Sequence, residues 1–146
     1  MIEQATSDDI SHLADLLALL FTQEAEFQPT REKQERGLRM IIESPGSGRI
    51  FVARHDREIV GMVSLLFTIS TAEGGAVCLL EDMIVRPDQR GSGLGSQLLQ
   101  HAIDFARTNG FMRITLLTDH SNEGAIRLYQ RHGFMLSEMT ALRLHL

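Results

Sequence analysis

The sequence predicts an α/β (α+β) fold, with helices on both faces of a mixed, mostly antiparallel sheet of six to seven strands. Two observations carry this prediction. Three consecutive extended segments in the middle of the chain are separated by hairpin-like turns, and a glycine-rich bend then opens a stretch where helical and extended periodicities alternate. With 146 residues there is room for one core and not two, so residues 1–146 are read as a single domain.

Ile2 to Thr6 reads as a short strand, and Ser7 to Glu26 places Ile10, Leu13, Leu17 and Leu20 on one helical face. After Pro29, Thr30 to Ser44 presents Leu38, Ile41 and Ile42 opposite a charged side, a second amphipathic helix closed by Pro45, Gly46 and Gly48. Its charges are read as a solvated face. Arg49–Arg54, Glu58–Ser70 and Ala76–Val85 are the three extended segments, with turns at His55-Asp56-Arg57 and Glu73-Gly74-Gly75. They predict an antiparallel meander. Gly91 to Asn109 then carries Leu94, Leu98, Ala102 and Phe105 at helical spacing, and Gly110 ends it. Met112 to Thr118 alternates as a strand, Asn122 to His132 is a short helix, and Phe134 to Leu146 reads as one long strand or two short ones. Met62, Met83, Met112, Met135 and Met139 are expected to fill the core from strands, and His101 and His132 to lie on the solvent side of helices.

Composition excludes several classes. Net charge is −5 and Lys33 is the only lysine, so no basic stripe is available to neutralise a phosphate backbone, and nucleic acid is not an expected partner. Cys78 is the only cysteine and the six histidines are scattered, which leaves no metal site. No apolar run reaches bilayer length and the first residues lack a signal-peptide pattern, so no membrane association and a cytoplasmic location are expected.

The stretch from Val85 to Ser96 lies between a strand and a helix and holds Gly91, Gly93 and Gly95. Free N–H groups and the positive end of the helix dipole favour an anion at such a bend, and Arg90 adds a fixed positive charge beside it. This predicts a diphosphate-bearing ligand without choosing among ATP, NAD and coenzyme A. Gly95-Ser96-Gln97 stands where a Walker A loop needs Gly-Lys-Ser/Thr, and the third glycine comes one position too early for the dinucleotide fingerprint.

Arg90-Gly-Ser-Gly93-Leu-Gly95 resembles the Arg/Gln-x-x-Gly-x-Gly/Ala loop of the GNAT (GCN5-related) N-acetyltransferases. The stretch Asn122-Glu-Gly-Ala125-Ile-Arg-Leu128-Tyr129-Gln-Arg-His-Gly133-Phe134 resembles their second motif, Asn-x-x-Ala-x-x-Leu/Phe-Tyr-x-x-x-Gly-Phe, at every specified position. With the preceding strand the resemblance covers about residues 76–138. It implies a three-layer αβα fold whose fourth and fifth strands splay apart to admit the pantetheine arm of acetyl-CoA. It further implies that Met83, Ile84 and Val85 pair with the arm, while Arg90, Gly91, Ser92, Gly93, Leu94, Gly95 and Ser96 cradle the diphosphate. Asn122 and Ala125 would border the arm, Tyr129 would lie near the sulfur and Arg131 near the nucleotide end. Homodimers are common in the family.

Acetyl transfer to an amine needs a base, an oxyanion donor and an acid for the departing thiolate. Tyr129 suits the last role, because a phenol with an ordinary pKa near 10 still carries its proton at neutral pH. The Ile84 backbone N–H is the expected oxyanion donor. Glu81 and Asp82 are candidates for the base, with Glu81 preferred; as neighbours in a strand they must point to opposite faces, so that only one can face the amine. Cys78 is read as a core residue and not as a nucleophile. Acceptor selectivity would come from Phe21, Glu24, Glu26, Phe27 and the loop Ser70–Ala76, which spell no readable code. Two other readings remain open: a non-catalytic acyl-CoA-binding or sensing protein, and a dinucleotide-dependent oxidoreductase.

Overall fold

The computed structural model describes residues 1–23 and 30–146. Glu24, Glu26 and Phe27, expected to shape the acceptor side, lie outside the described residues. Strand β1 (Ile2–Gln4) leads through a single 3-10 turn (Ser7–Asp9) into α1 (Ile10–Gln23), followed by α2 (Arg31–Ile42). The meander is β2 (Gly48–His55), β3 (Glu58–Ser70) and β4 (Gly75–Val85). A 3-10 turn at Pro87–Gln89 and the glycine bend precede α3 (Leu94–Thr108), β5 (Ile114–Leu116) and α4 (Glu123–Arg131).

The sheet runs in the order β1-β2-β3-β4-β5; every neighbour is antiparallel except the β4–β5 pair, which is parallel. The reversal follows from connection length. The β2–β3 link is a tight turn, with Asp56 (φ 50°) and Arg57 (φ 69°) both in the left-handed conformation such hairpins need, whereas the β4–β5 link carries all of α3.

Strand alternation divides the core in two. On one face Ile50, Val52, Met62 and Ile84 pack under Ile10, Leu13, Leu17 and Leu38 from α1 and α2. On the other, Phe51, Val63, Leu65, Cys78 and Leu80 pack under Leu98, Leu99, Ala102 and Ala106 from α3. These are the three layers. Asp9 is buried at the first helix entrance, where its carboxylate takes the Thr6 N–H (2.9 Å) and the Arg54 guanidinium (2.8 Å). That pairing, with Glu3 also on Arg54, raises the Arg54 pKa and pins β1 to the end of β2.

The expected strands within Phe134–Leu146 do not form. The described chain has five strands instead of six to seven, and every residue from Met135 to Leu146 is exposed. An alternating segment becomes a strand only where a partner edge satisfies its backbone, and among the described residues this one pairs with no strand. For the same reason Met135 and Met139 (both 89% exposed) are not core filler, and Met112 is also exposed; Met62 is fully buried and Met83 partly so. His101 and His132 are not simply solvent-side: the His101 ring meets Phe51 edge-on at 4.7 Å, and His132 bridges two helices.

Candidate active site

Strand β5 touches β4 only through Cys78↔Ile114, Leu79↔Thr115 and Leu80↔Leu116, so beyond Leu80 the two strands part. The splay implied by the resemblance is present, and among the described residues no strand pairs with that edge of β4 from Glu81 to Val85.

Which groups line that edge is set by the ladder with β3. The Arg86 N–H bonds Val60 O (2.8 Å), and the same register pairs Ile84 with Met62. Successive residues of an antiparallel strand turn their backbone groups to opposite sides, so Ile84 N–H points into β3 while Met83 and Val85 point into the gap. The guanidinium of Arg90 confirms the direction by donating to Val85 O (3.1 Å). The Ile84 N–H, expected to face the gap, is therefore turned into the sheet, and the N–H groups that face outward here are those of Met83 and Val85; this ladder phase is not carried by one sequence.

The register shifts between Ser64 and Leu65, where Ser64 faces Asp82 but Leu65 faces Leu80. Glu81 is the extra residue of a β-bulge. Leu80 and Met83 both pack on the α3 side, so the two carboxylates between them share the α1–α2 side. The alternation expected to send them to opposite faces is thus interrupted by the bulge. Glu81 is exposed; Asp82 is half-buried, its N–H donating to Ser64 Oγ (3.1 Å) and its Oδ2 accepting from the same hydroxyl (3.2 Å).

At the end of β4 the chain turns through Arg86, whose guanidinium is held by Asp88 (2.6 Å) and Glu58 (3.1 Å). That pairing holds the Asp88 carboxyl below its usual range. Gly91 and Gly93 both adopt φ 83°, a left-handed conformation costly for any side chain, and a Cβ at either would meet open space. Conformation, not crowding, requires glycine here. Helix α3 starts at Leu94 with no side-chain cap, so the N–H groups of Leu94, Gly95 and Ser96 face the bend. Ser92 turns its hydroxyl inward to Gln89 O (2.7 Å), closing the loop.

The second motif sits against this bend. Asn122 caps α4, its side chain accepting the Ala125 N–H (3.2 Å). Tyr129 is half-buried, its ring 5.7 Å from Phe134. A Cβ on Gly95 would lie 3.7 Å from Leu128 Cδ2, and Ser96 Oγ lies 2.7 Å from His132 Nε2. Gln100 completes the bridge at 3.2 Å from His132 Nδ1, with its own amide nitrogen on Asp104 (2.9 Å). His132 and Gln100 were missed because the contact spans 36 residues and leaves no local pattern. Arg131 is exposed at the end of α4. Cys78 is buried, and burial pushes its thiol up to about 11, so it is no thiolate nucleophile at neutral pH. No cluster of metal ligands occurs among the described residues, and no described helix is long and apolar enough to cross a membrane.

A gap between parallel strands beside an uncapped helix start offers a place for an extended, anion-bearing ligand. The model of the acetyltransferase (GNAT) family matches residues 12–134, and the chain belongs to that family. It is 33% identical over 136 residues to the uncharacterized N-acetyltransferase YhfO of Bacillus subtilis, covering 91% of this chain and 88% of that protein. It is 28% identical over 136 residues to an aminoalkylphosphonate N-acetyltransferase of Salmonella typhimurium, covering 93% of this chain and 85% of the other. Among solved structures, a probable acetyltransferase superposes with a TM-score of 0.84 at 26% identity, over 100% of this chain and 97% of its own.

Proposed function

We propose that this chain is an acetyl-CoA-dependent N-acetyltransferase that moves the acetyl group directly to a primary amine. The observation that supports this best is the pair of outward backbone amides, Met83 and Val85, standing open beside the uncapped start of α3. An extended amide-bearing arm matches the first and a diphosphate the second, so the residues present fit acetyl-CoA.

Met83 and Val85 would bind the arm, with Asn122 and Ala125 along its other side. Gly91, Ser92, Gly93, Leu94, Gly95 and Ser96 would hold the diphosphate through backbone N–H groups; Arg90 adds charge and Arg131 lies toward the nucleotide end. When bound, acetyl-CoA supplies an acetyl group activated as a thioester. The Met83 N–H would meet negative charge on an acyl oxygen in the gap. Asp82 or Glu81, on the α1–α2 side, takes the amine proton, directly or through water, and Tyr129 holds the proton a departing thiolate needs. The acceptor is a small molecule or peptide amine, and the site is cytoplasmic in this reading.

The test is a panel of amines (polyamine, aminoglycoside, aminoalkylphosphonate, free amino acid, peptide N-terminus, lysine) with acetyl-CoA, reading release of free thiol. Amine-dependent release is expected, together with a higher melting temperature in acetyl-CoA and none in NAD. Thermal stabilisation without release for any amine would favour an acyl-CoA sensor instead.

A further inference from the structure

We propose that His132 is a positioning residue for the diphosphate, acting by taking up a proton and so releasing the Ser96 hydroxyl toward the glycine bend. This rests on the acetyl-CoA reading above and says how the same site responds to protons. It starts from four side chains that link the two motifs. Ser96 Oγ lies 2.7 Å from His132 Nε2, His132 Nδ1 lies 3.2 Å from Gln100 Oε1, and Gln100 Nε2 donates to Asp104 Oδ1 at 2.9 Å.

The far end of this row fixes the near end. An ionised carboxylate only accepts, so the Gln100 atom that meets Asp104 is the amide nitrogen, and the atom that meets His132 is the carbonyl oxygen. That oxygen also only accepts, so Nδ1 carries the ring hydrogen. In the neutral ring Nε2 is then a lone pair, and the bond to Ser96 runs from hydroxyl to ring. The one hydroxyl hydrogen of Ser96 is thereby committed to His132. What its side chain leaves for the bend is oxygen lone pairs, which repel an anion.

Ser96 stands in the first turn of α3, beside the N–H groups of Leu94 and Gly95, and helix side chains lean toward the N-terminus, so its hydroxyl lies on the side of the bend. Protonation reverses the bond to the ring. A proton from water adds to Nε2, the new N–H donates to Ser96 Oγ, and the serine O–H turns free to donate to a phosphate oxygen. The same event adds a positive charge beside the bend. Both effects favour the anion, and by reciprocity a bound diphosphate favours the protonated ring. Around the ring, Asp104 of α3 is linked to it through the Gln100 amide, Arg131 of α4 adjoins it in the chain and is exposed, and Arg90 of the bend is turned to Val85 O. Carboxylates and arginines keep their charge between about pH 6 and 8, where histidine changes its own, so among these groups the change falls on His132.

The test uses the purified full chain and dephospho-coenzyme A, which keeps the diphosphate but lacks the 3′-phosphate, a monoester that itself titrates at about pH 6. Calorimetry in two buffers of different ionisation enthalpy should show proton uptake on binding, and affinity about fivefold or more higher at about pH 6 than at about pH 8. A side-chain bridge that only tied α4 to α3 would move neither. His132→Gln, at a half-buried position and with the circular dichroism of the fold retained, should bind without proton uptake and with the high-pH affinity of the wild type at both pH values. Ser96→Ala, which keeps the ring but removes the hydroxyl, should show a smaller pH effect than the wild type. Equal wild-type affinity at both pH values, uptake that survives in His132→Gln, or a pH effect of full size in Ser96→Ala would overturn the proposal and leave the acetyl-CoA reading standing. Binding of coenzyme A but not of dephospho-coenzyme A would place the anchor at the 3′-phosphate and overturn it as well. Binding of neither at either pH would overturn the acetyl-CoA reading and this proposal with it.

Discussion

The two halves of the molecule are built to different standards. From β1 to β4, with α1 and α3, the sheet is closed on both faces, and Leu13, Val52, Met62, Val63, Leu65, Leu98, Leu99 and Ala102 have no exposed surface. From β5 onward the strand is three residues long, α4 buries none of its residues and the last twelve residues lie in solvent. The gap runs along the seam. The closed half contributes backbone amides that cannot shift without disturbing a packed ladder, and the open half contributes side chains, Asn122 and Tyr129. In the function proposed above, donor positioning and amine deprotonation would rest on the stiff side, and protonation of the departing thiolate on the loose one.

The contrast can be tested first on stability. Leu98→Ala should cost about 2–5 kcal/mol in urea unfolding, whereas Leu128→Ala in α4 should cost on the order of 1 kcal/mol. Equal losses would erase the difference between the halves. Next, Tyr129→Phe should lower kcat by about 100-fold or more with little change in KM for acetyl-CoA in steady-state kinetics; unchanged turnover would remove Tyr129 from the acid role. Gly93→Ala should cost about 1–2 kcal/mol, because φ 83° strains any side chain, and should weaken acetyl-CoA binding measured by calorimetry.

The smallest effect belongs to Cys78. Its folded pKa of about 11 lies above the ordinary 9.0, so the stability it contributes is intact below pH 9 and is lost as pH rises toward 11. Melting temperatures of wild type and Cys78→Ala across that range should show a steeper alkaline decline for wild type. Iodoacetamide should leave the native thiol unmodified at pH 8 and label it only on unfolding.

What could be read in advance divides along the same seam. Apolar spacing within one element placed α1, α2, α3 and the meander, because burial on one face writes a period into the chain. The two motifs located the bend and α4, because a left-handed backbone at Gly91 and Gly93 and the Asn122 cap are local demands. Four features were illegible. The phase that turns Met83 and not Ile84 to the gap, and the bulge at Glu81, are set by β3, some twenty residues away. The Ser96–His132 bridge is a contact of side chains distant in sequence. The segment after Phe134 carries a strand pattern, but a pattern does not supply the edge that would make it a strand.

The bulge in β4 also separates two things that could otherwise change only together. In the function proposed above, the donor would be gripped by main-chain atoms whose aim depends on how many residues the strand contains, not on which ones they are. Substitutions at Glu81 or Asp82 can therefore alter the charge offered to an incoming amine without re-aiming the row at Met83 and Val85, whereas deleting a single residue there would rotate that row away. A change of acceptor by point substitution at these two positions would thus leave the grip on the donor intact as long as the count of residues in the strand stays fixed.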